Sequence, residues 1–121
     1  MYSQIFWEHA RHPRNHRVLI GAKTGEARYH RCGDKLTLYL TIENGLITQA
    51  TFQAKGCAPV VAVASLATEM VSGLDVDKAG QLNIFEIDKE LGGIPPSKRH
   101  AYVLFLECLK SALDHHKAKD K

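Results

Sequence analysis

Cys32, Cys57 and Cys108 are the three thiols of this 121-residue chain, and their neighbours differ in ways that matter for chemistry. Cys32 is followed by Gly33 and Asp34, so a thiol and a carboxylate flank a residue free to turn tightly. Cys57 follows Gly56 and stands just before Pro59, a residue suited to a first helical turn. Unpaired N–H groups and the helix dipole at such an N-terminus favour the thiolate, the form that ligates metals and attacks electrophiles. The following run, Ala58-Pro59-Val60-Val61-Ala62-Val63, is apolar, and desolvation pulls the other way, toward a metal-bound or neutral sulfur. Two soft sulfurs with a carboxylate suit zinc or iron better than magnesium or calcium. The competing reading is plain burial, since free cysteine is among the most buried residue types and the spacing is not that of paired CxxC motifs.

The elements that would position these groups are legible. Leu36, Leu38, Leu40 and Ile42 alternate with Lys35, Thr37, Tyr39, Thr41 and Glu43, the period of a half-buried strand over Lys35–Glu43. Asn44-Gly45 is the strongest short hairpin signal. A strand follows over Leu46–Ala54, with Leu46, Ala50, Phe52 and Ala54 expected on its inner face. A weaker strand, Gly25–Arg31, precedes, pairing across the Cys32-Gly33-Asp34 turn. In such an antiparallel meander Cys32, Asp34 and Cys57 converge on one end of the sheet.

Helices are expected over Tyr2–His12, stopped by Pro13, and over Pro59–Ser72, apolar nearly all round and therefore buried, with Gly73 as its stop. Short helices follow near Val76–Leu82 and Phe85–Leu91. After the breaker Gly92-Gly93-Ile94-Pro95-Pro96, Ser97 is expected to cap a long helix from Lys98 to about His116. Its stripe Ala101, Leu104, Phe105, Cys108, Leu109 and Ala112 assigns Cys108 to the core. The fold class is α+β: one domain over residues 1–121, a small three-stranded antiparallel sheet packed against several helices, the last of them long.

Read in order, the chain resembles the NifU/IscU-like scaffold family for iron–sulfur cluster assembly, from about Trp7 to Leu113. His12-Pro13-Arg14-Asn15 resembles its early Pro-Arg-Asn element, Cys32-Gly33-Asp34 its first ligand motif, and Phe52-Gln53-Ala54-Lys55-Gly56-Cys57 its strand ending in Gly-Cys. Ala64-Ser65, Thr68-Glu69 and Gly73 match positions along the next helix. Ile94-Pro95-Pro96-Ser97-Lys98 resembles the segment some members present to an Hsp70-type chaperone, with Pro95, Pro96 and Lys98 as its contacts, and His100 falls at the family's histidine. The resemblance implies that Cys32, Asp34, Cys57 and His100 hold iron or a [2Fe–2S] cluster, which the protein passes to acceptor proteins after sulfur delivery by a cysteine desulfurase. It is expected to be a scaffold and not an enzyme.

The chain departs from the family where a third cysteine should follow the histidine: that residue is Ala101. Alanine can neither carry a persulfide nor ligate iron. Two thiolates, an imidazole and a carboxylate still suffice for one tetrahedral zinc or for a mixed-ligand two-iron cluster. A degenerate paralogue with a structural zinc site, acting as an interaction module or desulfurase partner, is therefore the alternative; zinc-assisted sulfur transfer onto Cys32 or Cys57 is a third reading.

Other features exclude more than they assign. A net charge of +3 without a long Lys/Arg run gives no nucleic-acid signature. No apolar stretch reaches membrane-spanning length, and Met1–His9 lacks a basic head followed by an apolar core, so the cytoplasm is expected. His9, His12 and His16 are interrupted by Pro13 and read as a solvated segment, and Trp7 and Phe6 read as packing residues.

Overall fold

The computed structural model describes residues 2–31 and 33–119; Cys32 lies outside the described residues. The order is α1 (Gln4–Arg11), β1 (Lys23–Tyr29), β2 (Asp34–Glu43), β3 (Leu46–Lys55), α2 (Ala58–Val71), α3 (Val76–Ala79), α4 (Ile84–Leu91), a 3-10 turn at Pro96–Lys98, and α5 (His100–Lys119). The strands form an antiparallel meander in the order β1-β2-β3. Asn44 and Gly45 both take positive φ, 52° and 76°, as a tight hairpin between twisted strands requires.

Leu36, Leu38 and Leu40 of β2 are fully buried beside Ala27, Ala50 and Phe52, and form the inner face of the sheet. α2 and α5 pack on that face: Val60, Val63, Ala64 and Ala67 from one, Ala101, Leu104, Phe105, Cys108, Leu109 and Ala112 from the other. β1 and α5 touch backbone to backbone. A Cβ built on Gly25 would stand 2.0 Å from the Cys108 carbonyl oxygen, so only glycine fits.

Three expectations need correction. Leu46 is 42% exposed, and Ile47 takes its place in the core at 0%. The register shows why: Thr41 pairs with Gln49 but Ile42 with Ile47, so Thr48 is an extra residue, a β-bulge that flips the alternation beyond it. Ser97 does not cap the last helix. Lys98 N–H and Arg99 N–H donate to the carbonyls of Pro95 and Pro96, and this 3-10 turn delays α5 until His100.

The third correction concerns the N-terminal histidines. His9 is 6% exposed, not solvated, and its Nδ1 lies 2.7 Å from Ser65 Oγ on α2. Arg14 N–H donates to the same Ser65 oxygen, Asn15 Nδ2 donates to Thr68 Oγ1, and the Asn15 carbonyl accepts from Phe52 N–H. The Pro13-Arg14-Asn15 element is thus a clasp that ties α1 to α2 and to the free edge of β3. His16 stacks on Phe52 with ring centroids 4.6 Å apart. Phe6 is core as expected; Trp7 is 38% exposed and lies beneath the Arg11 guanidinium.

Candidate metal centre

The end of the sheet where β1 stops, β2 starts and β3 stops carries the candidate site. Asp34 is the first residue of β2 and is only 2% exposed. A carboxylate so buried must be bonded on several sides. Its Oδ1 accepts the Cys57 backbone N–H at 3.0 Å, its Oδ2 accepts the Cys57 thiol at 3.4 Å, and the same Oδ2 is 3.0 Å from His100 Nε2. Gly56 permits this approach, because a Cβ there would come within 2.2 Å of Asp34 Oδ1.

Three elements therefore meet through one carboxylate. Cys57 is the N-cap residue of α2, with no side-chain capping bond of its own. His100 opens α5 immediately after the 3-10 turn. The donor atoms of Asp34, Cys57 and His100 all lie within 4.8 Å of one another, and no other such trio of His, Cys, Asp or Glu occurs among the described residues. A soft sulfur, an imidazole and a carboxylate at that spacing form a donor set for zinc or iron.

The electrostatics decide between the two expectations for Cys57. Burial is the largest influence and pushes its thiol above the ordinary value; the Val60 N–H at the helix start pulls it down; the Asp34 charge and hydrogen bond push it up again; Lys98 pulls it down. Desolvation wins over the helix terminus, so without a cation Cys57 is a neutral thiol at neutral pH. A bound cation would reverse that balance by stabilising the thiolate.

Sequence reasoning missed Tyr29. Its ring stacks on His100, centroids 4.1 Å apart and 15° from parallel, and holds the imidazole toward Asp34. The sequence carried a signal for it: Tyr29 alternates with Gly25 and Ala27 along the expected strand and so shares their face. Lys98 is half-buried, Pro95 half-buried and Pro96 exposed, on the segment that leads into His100. Ala101 is fully buried and belongs to the core cluster. Cys108 does not join the site. It donates to the Leu36 carbonyl at 3.2 Å, and burial pushes its thiol up to about 12.

A thiol, an imidazole and a buried carboxylate thus gather at the end of a three-stranded meander, beside the start of a long C-terminal helix, as a candidate metal site in an α+β domain. The chain belongs to the NifU-like N terminal domain family, which it matches over residues 1–121. It is 37% identical to the iron-sulfur cluster assembly enzyme IscU of Drosophila melanogaster, over 100% of this chain and 81% of that one. It is 34% identical to the iron-sulfur cluster assembly scaffold protein IscU of Haemophilus influenzae, over 98% of this chain and 97% of that one. Among solved structures, the putative iron-sulfur cluster assembly scaffold protein for the SUF system from Fervidobacterium islandicum superposes with a TM-score of 0.77 at 22% identity, covering 93% of this chain and 96% of that one. That likeness concerns the fold.

Proposed function

We propose that this protein is an iron–sulfur cluster assembly scaffold that holds iron or a [2Fe–2S] cluster as cargo and passes it to acceptor proteins. Asp34, Cys57 and His100 serve as ligands, joined by Cys32, two residues before Asp34 in the sequence. The observation that carries this reading is the meeting of Cys57, Asp34 and His100 within 4.8 Å, in a chain of this family.

Loading requires Cys57 to give up its proton. Asp34 Oδ2 already accepts that thiol, and His100 Nε2 lies on the same oxygen. The carboxylate–imidazole pair is therefore the route by which the proton leaves as sulfur takes the metal. Tyr29 keeps the imidazole in register with Asp34. Nothing in these steps is turnover chemistry on a substrate bond. A cysteine desulfurase supplies the sulfur, and the segment of half-buried Pro95, exposed Pro96 and half-buried Lys98 is the contact for an Hsp70-type chaperone. Free thiols at Cys57 and Cys108 fit a reducing compartment, the cytoplasm.

One observation favours a second reading, a zinc-stabilised interaction module. Ala101 stands where the family's third thiolate belongs, and Ala101 is sealed in the core. Four ligands that include Cys32 would close a tetrahedral zinc site. Reconstitution with ferrous iron and sulfide separates the two. The scaffold reading expects a visible cluster spectrum in the parent and its loss in Cys57→Ala and His100→Ala. A parent that takes up zinc with gain in thermal stability but forms no cluster supports the zinc reading and overturns the first.

A further inference from the structure

The face of the sheet away from α2 and α5 carries a charge pattern that the metal centre does not use. The register pairs Arg28 with Lys35, and Lys35 with Lys55. Directly paired residues share a face, so three cations stand side by side across all three strands. At roughly 4.8 Å between strands, the row spans about 10 Å. It lies one residue from Asp34 along β2, and Arg28, Lys35 and Lys55 line one recess together with Asp34.

Like charges directly opposite one another destabilise a sheet. Glu26 relieves part of the repulsion, at 3.5 Å from both the Arg28 guanidinium and the Lys35 ammonium. Lys55 has no ion pair among the described residues. Asp34 offers no relief, since its side chain is turned to the inner face and committed to Cys57 and His100. The row therefore keeps an excess of two positive charges at the mouth of the site. Beyond it the outer face is polar, with Thr37, Tyr39 and Gln53, and the helices pack on the other side. A row of uncompensated charge that weakens the fold, set beside the Asp34–Cys57–His100 group, is the arrangement expected of a surface kept for association.

We propose that Arg28, Lys35 and Lys55 form a docking surface for an acidic face of a partner protein, which is thereby seated next to the Asp34–Cys57–His100 centre. A short row with a glutamate set into it fits a patch of carboxylates better than a nucleic-acid backbone, which calls for a longer basic stripe. What the partner exchanges there rests on the scaffold reading; the surface itself does not.

The probe is an acidic apo-ferredoxin of the plant type, titrated at low salt into 15N-labelled protein without metal. The expected result is a set of shifts centred on Arg28, Lys35 and Lys55. Affinity should fall about tenfold in the triple variant R28Q/K35Q/K55Q and fall steeply with salt. K55Q alone should melt no lower than the parent, since it removes repulsion and no ion pair. Shifts elsewhere, unchanged affinity in the triple variant, absence of binding, or tighter binding of a single-stranded oligonucleotide would each overturn the proposal. Cluster content of parent and variants, measured in parallel, reads the scaffold function separately, because none of the three residues is among the ligands.

Discussion

Gly25→Ala tests the packing that carries His100 to the sheet. The added Cβ would sit 2.0 Å from the Cys108 carbonyl oxygen and 2.6 Å from the Ala112 nitrogen, both backbone atoms of α5. Restoring an ordinary contact of 3.4 Å means opening β1 from α5 by roughly 1.4 Å, and no side chain can yield instead. Overpacking of this kind costs about 3 kcal/mol. For a chain of this length that is a fall in Tm of about 12 °C. Gly73→Ala is the control. Its Cβ meets nothing within 4 Å, so it pays only for a left-handed backbone, φ 90°, at about 1 kcal/mol or about 4 °C. The assay is thermal unfolding followed by circular dichroism. A Gly25→Ala protein that melts within about 2 °C of the parent, or above Gly73→Ala, would refute the close approach of β1 and α5.

In a Cys32→Ser background, iodoacetamide should label Cys57 slowly at neutral pH and faster as pH rises, while Cys108 stays unlabelled until the fold is lost; early labelling of Cys108, read by peptide mass, would contradict its place under Leu36. His9 has a folded pKa below the ordinary 6.5, chiefly through burial and then the Arg14 charge, with Glu69 and Glu8 opposing. As pH falls, the unfolded chain takes up that proton first, so His9's contribution is full above 6.5 and is lost as pH drops from there toward the folded value. The Tm of the parent should therefore fall more between about pH 7.5 and about pH 5.5 than that of His9→Gln, and equal slopes would remove His9 from the account.

Local pattern carried most of the architecture. The leucine alternation of β2, the Asn44-Gly45 hairpin and the apolar stripe of α5 each encode their own geometry, and together they bring Asp34 and Cys57 to one end of the sheet. What escaped was decided by tertiary contacts. The bulge at Thr48 exchanges Leu46 for Ile47 without any mark in residue type. The clasp on Ser65 buries His9 although its neighbours are charged. Two prolines replace a Ser97 cap by a 3-10 turn. His100 joins Asp34 across sixty-six residues of sequence, a contact implied by family resemblance but not by any periodicity in the chain. Cys57 shows the same limit in its chemistry. Its helix-terminal position favours a thiolate, yet the depth of its burial, which only the folded chain sets, makes it a neutral thiol.

The central claim is that Asp34, Cys57 and His100, with Cys32, hold an iron–sulfur cargo even though Ala101 supplies no thiolate. It is tested most directly by the iron and acid-labile sulfide content of protein purified without oxygen, read with its absorption spectrum. The account predicts iron with matching sulfide, absent from Cys57→Ala. Zinc alone, or neither metal, in protein that also fails to take up iron and sulfide on reconstitution, would contradict it.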